Sequence, residues 1–213
     1  MGTLGRTAVP LALAAGLLAG CGASVRASDV TESGRASSGA ARSGGTVGAA
    51  GSGCTLPVTF DTARGWRAEA VEGPAGAASD APGGDLAESL LRQGPVTLVC
   101  EIDAKPAGAI GFLRVSTGKP GRADAGAVLR AFVAAQAHTG GARYRTFTSG
   151  GLAGVRVDYV STSGLSAESK RESALAVVTP DGPVVLHLGG LDSEEHDEML
   201  PAFELARRTL RTA

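Results

Sequence analysis

The sequence predicts an α+β domain, an antiparallel sheet packed by helices, carried behind an export leader and a low-complexity segment. Three observations carry that prediction. Strand-like runs rich in Val, Leu and Thr recur from Val96 to Gly190, with turn chemistry between them. Two segments, one opening at Asp124 and one near Ser193, switch to a helical period. Strands in a run, with one helix in the middle and one at the end, leave the helices to pack on the faces of the sheet.

The leader comes first. Arg6 and the amino terminus supply positive charge, and Ala8–Leu18 is uncharged and mostly Ala and Leu. That stretch suits a signal peptide over residues 1–20 and falls short of the roughly 20 apolar residues that span a bilayer. Leu18-Ala19-Gly20-Cys21 resembles a bacterial lipobox. The resemblance implies cleavage before Cys21 after its thiol has been joined to diacylglycerol. Acyl chains contribute about 0.8 kcal/mol per buried methylene, so two or three of them hold a chain stably at a membrane. No later segment is long and apolar enough to span, which predicts an anchored rather than a threaded protein.

Residues 21–53 read as the lipidated cysteine and a disordered tether. From Gly22 to Gly53, 22 of 32 residues are Gly, Ala or Ser, with no aromatic residue and no periodic apolar face. Such a segment buries too little surface to offset its ordering entropy. As a flexible coil it would reach on the order of 30 Å.

Residues 54–213 are enough chain for a single globular domain with its own core. "VTF" and "GWRAEAV" suggest a strand pair around Gly65-Trp66, and the Gly/Pro/Ala-rich stretch Gly73–Gly84 a loop. "LAESLLRQ" after it suggests a short helix. Val96–Asp103 and Ala109–Thr117 are strands, with Lys105-Pro106-Ala107-Gly108 as the turn between them. In Asp124–Ala137, Asp124 can cap, and Val128, Leu129, Phe132, Val133 and Gln136 share one helical face. "YRTFTSG", "AGVRVDYVST", "ESALAVVT" and "PVVLHLGG" are four further strands, the last two joined by Pro180-Asp181-Gly182. In the second of these, Val155, Val157 and Tyr159 alternate with Arg156 and Asp158, predicting one wet face. Asp192 and Glu195 resemble a capping box, and Met199, Phe203, Ala206 and Leu210 form the buried stripe of a closing helix.

This order of elements, with Gly65-Trp66, "GGLAGVRVDY" (Gly150–Tyr159) and the closing helix, resembles the PsbP-like α/β/α sandwich over about Thr55–Arg211. With the lipobox and tether it is similar to the small actinobacterial lipoproteins of the LpqN and LpqT type. Arg64 stands where members of the family often carry proline before the Gly-Trp. The resemblance implies a binding or assembly module at the cell membrane, on its extracytoplasmic face, with no shared catalytic residues and no cofactor.

Charge and motifs agree with a non-catalytic reading. Twenty Lys and Arg balance 21 Asp and Glu, and aromatic residues are 4%. That excludes the basic, stacking surface of a nucleic-acid binder and leaves the membrane and an envelope protein or ligand as partners. The three histidines, His138, His187 and His196, lack ligand spacing for a metal. His138 reads as ending a helix, and His196 lies in an acidic first turn with Glu194 and Glu198 that reads as solvated. Ser116-Thr117-Gly118-Lys119 matches S-x-x-K but runs from a strand into Pro120, not into a helix. No G-x-S-x-G, H-E-x-x-H or phosphate loop occurs. The enzyme alternative is a small hydrolase or metal-binding protein in which the fold gathers Ser116, His187 and Asp158. Finally, Cys54 and Cys100 remain once Cys21 is acylated, and an exported domain would join them.

Overall fold

The computed structural model describes residues 39–71, 91–164 and 166–213. The leader, Cys21, the loop Gly73–Gly84 and most of the "LAESLLRQ" segment lie outside the described residues. The strands are β1 (Ser43–Val47), β2 (Val58–Ala63), β3 (Arg67–Ala70), β4 (Arg92–Gln93), β5 (Val96–Asp103), β6 (Gly111–Thr117), β7 (Thr139–Ser149), β8 (Leu152–Thr162), β9 (Ser169–Thr179), β10 (Gly182–Gly190) and β11 (Arg211–Thr212). Among the described residues two complete α-helices join them: α1 (Ala125–Ala134) and α2 (Ser193–Thr209). The large sheet runs β3-β5-β6-β10-β9-β8-β7, with β4 paired to the start of β5, and a small sheet runs β1-β2-β11. Every pairing between these strands is antiparallel, and an isolated parallel bridge joins Gly48 to Thr55.

Alternation along the central strands builds a core on each face of the large sheet. Under α1, Val128, Leu129, Phe132 and Val133 pack against Val157, Ala174, Ala176 and Val185. On the other face, Met199, Phe203, Ala206 and Leu210 of α2 meet Leu175, Val177, Leu186 and Leu188. Val47, Val58 and Phe60 of the small sheet belong to that second core, so β1-β2-β11 shares the α2 layer. Both helix starts are capped as their sequences predict: Asp124 accepts from Ala127 N at 2.7 Å, and Asp192 from Glu194 N and Glu195 N at 2.8 and 2.9 Å. Glu195 does not close the capping box. Its carboxylate instead accepts from Ile110 N at 2.9 Å, tying the helix start to the β5–β6 connection.

Two hairpin turns need glycine. Gly150 and Gly151 link β7 to β8 with φ of 53° and 81°, the pair of positive angles a two-residue hairpin of this hand requires. Gly182, after Pro180-Asp181, has φ 121°, and a Cβ there would run into the Gly118 carbonyl oxygen. A side chain at that point would push β10 off the end of β6.

Five expectations are corrected. Ser43–Val47 falls inside the segment expected to be a disordered tether and is instead β1, paired with β2; the ordered domain therefore begins before Cys54. Thr46 and Val47 supply the anchor, Thr46 Oγ1 donating to Asp61 at 2.8 Å while Val47 is buried. The strands flanking Gly65-Trp66 do not pair with each other, because β2 joins the small sheet and β3 the large one. Arg92–Gln93, expected at the end of a helix, form β4. His138 sits beyond the end of α1 with φ 56°, in the loop to β7, rather than on a helix. Last, Arg156 and Asp158 do not face open water: they lie half-buried beside α2 in a web of ion pairs.

Cys54 and Cys100 form a disulfide with Cα atoms 6.0 Å apart, and both residues are buried. The bond joins the β1–β2 connection to the middle of β5, and so ties the small sheet to the large one.

Candidate functional site

The polar side chains capable of chemistry gather on β8, β9 and β10, in two clusters on opposite faces of the large sheet. Their separation follows from strand period. Tyr159 is paired with Glu172, and His187 with Ala174, so Tyr159, Glu172 and His187 all point toward α1. Their neighbours Asp158 and Ser173, also paired, point toward α2.

Under α1, His187 Nε2 lies 2.5 Å from Glu172 Oε2, and the Tyr159 hydroxyl donates to the same oxygen at 3.0 Å. Gln136, just past the end of α1, donates to that hydroxyl at 2.6 Å. Lys170 Nζ approaches the other carboxylate oxygen at 3.3 Å and donates to Gly190 O at 2.8 Å. Phe132 meets the His187 ring edge-on at 5.4 Å. Burial by itself would raise the Glu172 carboxyl, but the hydrogen bond and charge of His187, then Lys170 and Tyr159, outweigh it and hold the group at about 2. Burial and the nearby Glu172 charge push the Tyr159 phenol far above its ordinary value. Glu172 is thus a carboxylate with both oxygens engaged, buried because its neighbours supply what water would.

Toward α2 lies a small cleft of about 240 Å³, between β7–β9 and the first turns of the helix, lined by Arg143, Asp158, Arg171, Ser173, His196 and Asp197 among others. His196, expected on a solvated face, is only 3% exposed, a correction that follows from α2 lying flat on the sheet over Ser173. Its Nε2 is 3.1 Å from Ser173 Oγ and its Nδ1 3.3 Å from Asp197 Oδ1. Desolvation lowers the pKa of His196, against the opposing pull of Asp197.

Serine, histidine and aspartate in that order have the composition of a catalytic triad, but the hydroxyl proton is committed elsewhere. Ser173 Oγ donates to Asp158 Oδ1 at 2.8 Å, so it offers His196 a lone pair rather than a proton. A nucleophilic serine needs the opposite direction, with its proton passed to the imidazole. Asp158 in turn accepts from Arg145 at 3.0 Å and from Arg156 at 2.7 Å, while Arg156 also pairs with Glu204 of α2. Asp197 pairs with Arg171 at 2.7 Å. His196 Nε2–H donates to Ser173, and with the ion pairs of Asp158, Arg156, Glu204, Arg171 and Asp197 this contact pins α2 to β8 and β9.

The hydrolase alternative named Ser116, His187 and Asp158. Ser116 and His187 do face the same side and line one cavity of about 420 Å³ with Phe132 and Arg114. Asp158 lies on the opposite face, so the three do not converge. Among the described residues, no group of three or more His, Cys, Asp or Glu side chains could hold a metal ion. Sequence reading missed Glu172 and Ser173. The available signal was Glu172 at the same period as Ala174 and Ala176, a charge on an apolar face that demands a buried partner.

The profile of a protein family described as uncharacterised lipoprotein matches residues 24–210. No curated protein is significantly similar in sequence. Among solved structures, the solution structure of cyanobacterial PsbP (CyanoP) from Synechocystis sp. PCC 6803 superposes with a TM-score of 0.50 at 12% identity, covering 79% of this chain and 92% of that one. At that identity the likeness concerns the fold: an antiparallel sheet with helices on both faces, as the element order predicts. Among the described residues no helix is long and apolar enough to cross a membrane.

Proposed function

The chain belongs to the family of uncharacterised lipoproteins, and from that premise we propose that it is a lipid-anchored protein of the cell membrane's extracytoplasmic face. Cys21 carries the lipid, and the protein is of the actinobacterial LpqN and LpqT type. Its domain is a non-catalytic binding or assembly module for an envelope protein or ligand. The observation that carries the non-catalytic reading is the closure of the α2-side cluster. Ser173, the serine nearest an imidazole there, gives its proton to Asp158 and is itself 1% exposed. A substrate would have to displace both Asp158 and α2 to reach it.

One specific feature favours the rival reading, a small hydrolase: the Ser173–His196–Asp197 contacts of 3.1 and 3.3 Å beside a cleft. A fluorophosphonate probe separates the two. The binding-module reading expects no labelling above that of Ser173→Ala, whereas stoichiometric labelling of Ser173 would establish the hydrolase. The anchor is tested independently in cells with Cys21→Ser, which should leave an uncleaved, unlipidated precursor. If that variant is processed and fractionates as the unsubstituted protein does, the lipobox reading is wrong. Proximity crosslinking from the mature protein on intact cells would then identify the partner.

A further inference from the structure

We propose that the domain rests on an anionic lipid surface through the end at which the chain enters it, with Ile110 and Leu191 inserted among the headgroups and Arg42, Arg64, Arg67 and Lys105 against their phosphates. This orientation rests on the anchoring of Cys21 proposed above. Strand register brings these residues to one end. Ser43, the first residue of β1, pairs with Ala63, and Arg64 N donates to Arg42 O at 2.8 Å, so the chain enters beside the β2–β3 turn. β3 begins there, with Arg67 opposite Asp103 at the end of β5. A Cβ on Gly65 would lie 3.2 Å from Ala107 Cβ, which places this turn against the β5–β6 connection. That connection ends at Ile110, whose carbonyl accepts from Leu191 N at 3.1 Å. Gly111 and Gly190 are paired just behind them.

The composition of this end is that of a surface that meets lipid. Ile110 is 50% exposed and Leu191 66%, each more than the other exposed large hydrophobic side chains among the described residues, Tyr144 and Val160 at 37%. Arg42, Arg64, Arg67 and Lys105 are all exposed. Four acids lie near, and three of them are turned onto amides of the domain: Asp103 accepts from Lys105 N, Asp192 caps α2, and Glu195 accepts from Ile110 N. Glu194 is exposed at the same helix start and opposes the attraction. Apolar side chains among cations gain both from burial at the headgroup boundary and from the surface potential of an anionic leaflet. The opposite end of the strands carries the turns Gly150-Gly151 and Pro180-Asp181, and β10 separates Asp181 from Leu191 by about 30 Å.

With Cys21 acylated and Cys54 bonded to Cys100, an introduced cysteine is the one free thiol of the mature chain. Leu191→Cys and Asp181→Cys are each labelled with the fluorophore NBD. The lipidated full chain is then reconstituted into phosphatidylcholine vesicles holding roughly 30 mol% phosphatidylglycerol. Nitroxide-bearing lipids should quench the label at 191 at least about twofold more than that at 181, with a blue-shifted emission at 191 alone. Adding Ile110→Ser, Arg42→Gln, Arg64→Gln and Lys105→Gln should bring quenching at 191 down to the level at 181. Equal quenching at the two positions, in protein that floats with the vesicles, overturns the orientation while leaving the anchor intact. Protein that does not float overturns the anchor, and the orientation with it.

Discussion

Replacing both Cys54 and Cys100 by alanine should cost this domain about 4 kcal/mol. The disulfide closes a loop with a sequence separation of 46, and the chain-entropy relation gives about 4 kcal/mol for a loop of that length. Most of that effect belongs to the unfolded chain, which the bond prevents from expanding. Both cysteines are also buried in the core shared by the small sheet and α2, so losing two sulfur atoms leaves a void that adds to the loss. Urea unfolding of the oxidised protein and of Cys54→Ala/Cys100→Ala, followed by fluorescence of Trp66, measures it. The variant should unfold at lower urea and with a steeper slope, because its denatured state exposes more surface. In thermal melts the drop should be roughly 8–16 °C for a domain of this size. A loss below about 1 kcal/mol, or an unchanged slope, would refute the argument that the bond acts chiefly on the unfolded chain. Alkylation of both thiols in denatured, unreduced protein would show that the bond does not form at all.

Two further perturbations probe the cores on either face of the sheet. The Glu172 carboxyl titrates at about 2 in the folded protein against an ordinary value of 4.5, so its contribution is full above about pH 4.5 and is lost as pH falls toward 2. Glu172→Gln should therefore be less stable than the unsubstituted protein at pH 7 by on the order of 3 kcal/mol, and urea melts should show the gap closing between pH 5 and pH 2; a gap independent of pH would contradict the assignment. Phe203→Ala removes a fully buried ring from under α2 and should cost about 3–5 kcal/mol in the same melts, with a loss under 1 kcal/mol meaning that α2 is not seated as described.

Local signals sufficed for most of the elements. Asp124 and Asp192 cap their helices because a carboxylate before an apolar-periodic run satisfies amides that have no partner inside the helix. Val96–Asp103 is a strand at the predicted residues, and Pro180-Asp181-Gly182 turns where glycine and proline say it must. The two cysteines left over in a chain that reads as exported likewise predict their own bond. Each of these depends on residues a few positions apart, or on a pair with no other partner.

Tertiary structure decided what depends on which strand lies beside which. β1 has almost no apolar content and forms only because β2 offers an edge and the core accepts Val47, so composition read it as tether. The strands around Gly65 belong to different sheets, a distinction that pairing partners make and local propensity cannot. His196 stands in an acidic first turn that a helix alone would leave wet; the contact of α2 with Ser173 buries it. Ser116, His187 and Asp158 are ordinary strand residues in the chain, and the parity of the register sends Asp158 to the opposite face. That parity has a period of two, so a shift of one residue would have moved Asp158 beneath α1 and Glu172 beneath α2. The sequence alone determined most of the elements and both helix caps; the pairing of strands determined β1 and which charges are buried, and with whom.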